Sequence, residues 1–117
     1  MAGDLYKILL SMETGLANLR NQMDGIVDET IPQRLNKPWK SFRSTNEEVI
    51  DRLEKITSYL KNKKDDKPEP VMQADLEKLI KKWRSVNNVY GGLLMVAEQC
   101  KETMKTWDSV EKELKKL

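Results

Sequence analysis

The chain has 117 residues, of which 34% are Asp, Glu, Lys or Arg and 6% are aromatic, with a formal net charge of +2. That length supports one domain around one core, and the composition favours helices with solvated outer faces over strands or disorder. The near-neutral balance and slight aromatic content exclude a nucleic-acid module, and the absence of histidine removes the commonest general base, zinc ligand and nucleophile activator.

Charge is unevenly distributed. Residues 1–30 carry two basic and five acidic side chains, residues 31–64 nine and four, and the remainder ten of each. An acidic first segment and a basic second one complement each other when packed side by side. The single Cys100 cannot close an intramolecular bridge, and its place in an apolar stripe predicts a buried thiol in a reducing, cytoplasmic setting, with the nucleus equally compatible. No run approaches the roughly 18–20 apolar residues of a membrane span, and no basic region followed by an apolar signal core opens the sequence.

The first predicted element is a helix over residues 4–29. Asp4 suits its N-cap, and Leu5, Leu9, Met12, Leu16, Leu19, Met23 and Ile26 follow the alternating four-and-three spacing of a coiled-coil seam. Gly15 and Gly25 weaken it by about 1 kcal/mol each relative to alanine, so tertiary packing must support it. A second helix is predicted over 33–62, with the seam Leu35, Trp39, Phe42, Asn46, Val49, Leu53, Ile56 and Leu60. Pro38 predicts a kinked or irregular first part. Asn46 is the polar residue of this seam; it either fixes register by pairing with another buried polar group or occupies a cap or a wet gap.

Residues 61–72, rich in lysine, aspartate and proline, read as an exposed loop. A third helix then runs from residue 73, and its stripe of Leu76, Leu79, Trp83, Val86, Tyr90, Leu93, Ala97, Cys100, Met104 and Trp107 stays in phase past Gly91 and Gly92. In-phase spacing favours a continuous or gently kinked helix; a break at the glycines and a four-helix arrangement is the alternative.

Offsetting the chain by 98 residues lays Leu9, Ser11, Met12, Glu13, Leu16 and Leu19 onto Trp107, Ser109, Val110, Glu111, Leu114 and Leu117, with four of the six pairs identical. This pattern resembles the opening helix of a spectrin repeat, as found in dystrophin, nesprins, plakins and α-actinin. Trp83, within Leu79-Ile80-Lys81-Lys82-Trp83-Arg84-Ser85-Val86, resembles the tryptophan early in the third helix of such repeats. Leu9 stands where that family usually has a tryptophan. The resemblance implies a repeat that ends near residue 98 and runs on without a loop into the first helix of a following one.

These readings predict an all-α fold: an antiparallel, coiled-coil-like three-helix bundle over residues 1–98, its helices at 4–29, 33–62 and 73–98. Residues 99–117 extend the third helix, which overhangs or kinks at Gly91-Gly92. The overhang leaves Met104, Trp107, Val110, Leu114 and Leu117 as a candidate assembly surface. Arg34, Lys37, Lys40 and Arg43, three residues apart, form a candidate basic patch for an acidic partner or anionic lipid heads. The expected function is that of a non-enzymatic, spectrin-like cytoskeletal or scaffold module. It needs no cofactor, metal, nucleic acid or small-molecule substrate, and its partner is another protein or a second copy. The alternative is a regulatory or membrane-trafficking helical domain that binds a partner helix or an anionic lipid surface.

Overall fold

The computed structural model describes residues 4–62, 68–91 and 95–117, and within them the chain forms four α-helices. These are α1 (Asp4–Asp24), α2 (Gln33–Lys61), α3 (Pro70–Tyr90) and α4 (Ala97–Lys115), with a short 3-10 turn at Asp28–Thr30.

The seam residues of α1 are buried as the spacing predicts: Leu5, Leu9, Met12, Leu16, Leu19 and Met23 are each at most 1% exposed. The helix ends at Asp24, five residues before the expected boundary. Gly25 makes the last helical bond, to the Asn21 carbonyl, after which Ile26 tightens onto Met23 and the 3-10 turn follows. This early stop lets Ile26 and Ile31 fold under the end of the bundle, where both are buried.

Helix α2 runs through Pro38 without breaking. Pro38 lies in the second turn, and the carbonyl that its missing N–H would have bonded belongs to Arg34, a residue exposed to solvent. Helix α3 starts at Pro70, three residues earlier than expected, because proline suits the first helical position. Glu69 sits at its N-cap, and its carbonyl accepts from the Met72 and Gln73 amides. Of the expected loop, residues 63–67 lie outside the described residues.

The larger departure from the sequence reading is after Tyr90. The third helix stops there, and the chain re-enters a helix at Ala97 with Val96 fully buried before it. Helix α4 turns back and packs against α1 as well as α3. The three-helix bundle with an extended third helix is therefore replaced by four helices in cyclic order, α1 beside α2, α2 beside α3, α3 beside α4, and α4 closing on α1. Cross-helix partners set every neighbouring pair antiparallel: Arg20 meets Glu47 and Arg43 meets Asp28, Arg52 meets Asp75 and Asn46 meets Trp83, Ala74 shares a groove with Leu114 and Gly91 one with Cys100, and Gly15 meets Gln99 while Ile8 lies beside Ser109. The bundle measures 48 × 20 × 20 Å, its long axis matching the roughly 43 Å of α2. Burial explains the reversal: a straight third helix would leave Trp107 and Val110 in water, whereas folding back makes both 0% exposed.

Aromatic rings fill the end of the bundle where α2 starts and α3 finishes. Phe42 meets Trp83 edge-on at 5.8 Å between centroids, stacks on Tyr90 at 5.9 Å, and Trp39 closes on both Phe42 and Tyr90. Such pairs add about 0.5–1.5 kcal/mol each beyond area burial.

Two results follow from this packing. Trp107→Ala should cost about 3–5 kcal/mol in urea titrations, as removal of a core tryptophan does, while Leu117→Ala, at an exposed site, should stay within about 0.5 kcal/mol; equal small effects would place α4 in solvent. Gly15→Ala should raise stability by up to about 1 kcal/mol, since a methyl there meets Gln99 at an ordinary 3.6 Å. Gly91→Ala should lower it, because the added carbon falls 2.5 Å from Asn87 Oδ1 and 2.7 Å from the Asn87 carbonyl; thermal melts of the two variants moving in the same direction would contradict this geometry.

Candidate interaction surface

Two polar residues of α2 reach across to neighbouring helices. Asn46 is fully buried; its Nδ2 donates to the Leu16 carbonyl at 3.3 Å and its Oδ1 accepts from Trp83 Nε1 at 3.2 Å. One amide thus joins α2 to α1 and α3, so of the two readings of Asn46 the register-fixing pair is the one found. Thr57 of α2 likewise donates to the Glu13 carboxylate of α1. Removing one member of such a pair leaves a buried group unsatisfied, a cost of about 1–3 kcal/mol.

The residues of the expected basic patch separate. Arg34, Lys37 and Lys40 are exposed and form no ion pair among the described residues. Arg43 is half-buried and turned inward, 3.0 Å from Asp28 and 3.9 Å from Asp24, where it clamps the connection between α1 and α2. Three of the four remain available to a partner.

The expected assembly surface is also divided. Trp107 and Val110 lie in the core, Met104 and Leu114 are half-buried against it, and Leu117 is 48% exposed. The stripe that looked uncovered in sequence is covered by α1 and α3 of the same chain.

What remains open is the seam between α3 and α4, which meet more sparsely than the other neighbouring pairs. Arg84 spans it, 2.6 Å from Asp108 and 2.7 Å from Glu111. On one side, toward the start of α3, lies a groove of about 450 Å³ over Ile80, walled by Ala74, Glu77, Lys78 and Lys81 of α3 and Leu114 and Lys115 of α4. On the other side lies a shallower recess of about 490 Å³ lined by Asn87, Gly91, Cys100 and Met104. Sequence reasoning did not single out this seam. Its signal was faint: Lys78 and Lys115 each sit beside a stripe residue, Leu79 and Leu114, in the flanking positions that border coiled-coil contacts.

The Cys100 thiol is 2% exposed, and burial pushes its pKa up from 9.0 to about 11. Among the described residues no group of three ligand-type side chains converges to hold a metal ion, and no helix is long and apolar enough to cross a membrane.

Comparison of the chain with protein-family models, curated proteins and solved structures finds no match.

The thiol provides a direct readout of this burial. At pH 8 the folded protein holds about one thiolate per thousand molecules, a tenfold change per pH unit, so iodoacetamide should alkylate Cys100 slowly until urea unfolds the chain. The unfolded thiol deprotonates near 9 and the folded one near 11, so this group's contribution to stability declines as pH rises from about 9 to about 11. Equal alkylation rates in folded and unfolded protein would contradict its burial.

Proposed function

We propose that this chain is a non-enzymatic helical module that mediates protein–protein assembly in a scaffold or cytoskeletal setting. The observation that carries the reading is the open α3–α4 seam, an accessible groove along two antiparallel helices in a bundle whose other neighbouring helices are more closely packed. A trough of that shape suits an amphipathic helix laid along it. The polar interior supports the same reading, since Asn46, Thr57 and Glu13 are engaged in joining helices. Kinship with spectrin repeats is part of the proposal over α1 to α3, on the strength of the α1 and α2 seams and Trp83. In that comparison α4 is an added fourth wall, and it takes the place beside α1 that the third helix of a repeat would occupy.

A second reading, a regulatory or trafficking domain at an anionic surface, is favoured by the three exposed cations Arg34, Lys37 and Lys40.

The two separate in one pair of assays. A displayed library of helical peptides, selected on the intact chain, should yield binders that compete with one another for a single face. Co-sedimentation with vesicles of phosphatidylcholine and phosphatidylserine should show no binding that is lost with added salt. Vesicle binding lost in salt, together with an unenriched library, would instead establish the second reading.

A further inference from the structure

The groove beside Ile80 has a charge pattern as well as a shape. Its banks hold Lys78 and Lys81 on α3 and Lys115 on α4, all exposed and none in an ion pair among the described residues. Arg84 and Glu111, at its inner end, neutralise each other. Glu77 of α3, also exposed and in no ion pair among the described residues, stands beside Lys78 on the same bank, so the trough presents three unpaired cations against one unpaired carboxylate above an apolar floor.

Its apolar character continues beyond the walls. Val71 is 67% exposed one turn before Ala74, and Leu117 is 48% exposed one turn after Leu114. Both extend the same helix faces away from the Arg84 bridge. From Ala74 to Arg84 the groove runs about 15 Å, which matches two to three turns of a docked helix.

We infer that this groove docks an acidic amphipathic helix of a partner protein, with apolar side chains over Ile80 and Leu114 and carboxylates toward Lys78, Lys81 and Lys115. The inference rests on the interaction-module reading above and specifies its partner. Charge complementarity selects the occupant. A second copy of this chain does not supply it: the acidic helix α1 has its apolar stripe wholly buried under α2 and α4. A flat bilayer surface would meet the lysines but would not reach Ile80, which is 2% exposed between the two helices. So short a floor places the contact among small, transient interfaces.

The test uses the intact chain and a helical peptide library with leucine fixed along one face and glutamate or lysine varied at the flanking positions. Selected peptides should favour glutamate, and their binding by fluorescence anisotropy should weaken as salt rises. The triple variant K78E/K81E/K115E should bind at least about tenfold more weakly while circular dichroism shows the bundle still folded at the assay temperature, and the neutral variant K78Q/K81Q/K115Q, which adds no repulsion against Glu77 or Glu111, should weaken binding in the same direction. A third variant, Ala74→Glu, places a like charge in the groove wall at an exposed site and should weaken the same peptides. Binders without acidic bias, or binders indifferent to all three variants, overturn the groove assignment while leaving the interaction-module reading intact. A library that enriches nothing overturns both. Phosphatidylserine vesicles bound through the same three lysines would assign the groove to lipid and overturn the peptide occupant.

Discussion

Everything in this bundle depends on α4 covering α1. The first helix presents six side chains at most 1% exposed along its stripe, and α2 alone offers only one wall against them. The second wall is α4, with Cys100, Thr103, Trp107 and Val110 buried in the bundle interior. Gln99 reinforces the contact by donating to the Gly15 carbonyl at 3.0 Å. Four walls around one seam let a 117-residue chain bury three tryptophans completely.

Within that frame, polarity sets register. Apolar stripes of leucine and methionine slide past one another at little cost, whereas Asn46 satisfies its amide only when Leu16 and Trp83 stand opposite it. Surface ion pairs such as Arg20 with Glu47 at 3.6 Å and Arg52 with Asp75 at 3.7 Å agree with the same register. Exposed as they are, each contributes at most about 1 kcal/mol. Arg84 differs because it is half-buried and binds two carboxylates of α4, closing a seam that is otherwise loosely packed.

The first two helices were legible in the sequence because each keeps a single apolar phase from end to end, and the buried residues of α1 and α2 largely coincide with those seams. The direction of α4 was not legible. Heptad phase is cyclic, so Tyr90, Ala97 and Cys100 satisfy one seam whether the helix continues or the chain turns back within the right number of residues. The energetic argument that decides it, burial of Trp107 and Val110 against α1, is a tertiary one. The inward turn of Arg43 was not legible for a related reason: spacing placed it with Arg34, Lys37 and Lys40, but Asp24 and Asp28, brought near by the early end of α1, draw it inward. The open groove was illegible as well, since it arises from how far α3 and α4 stand apart rather than from either helix alone.

The direction of α4 can be read by double electron–electron resonance between spin labels at the exposed positions Lys7 and Lys112, with Cys100→Ala as background and the protein dilute. Folding back places both labels at the same end of neighbouring helices, and packed helices lie about 8–10 Å apart axis to axis, so the distribution should centre below about 30 Å. A continuous third helix would carry Lys112 away from that end and separate the labels by roughly 60 Å at the helical rise per residue. A population at that longer distance would contradict the four-helix closure on which the buried tryptophan and the groove both rest.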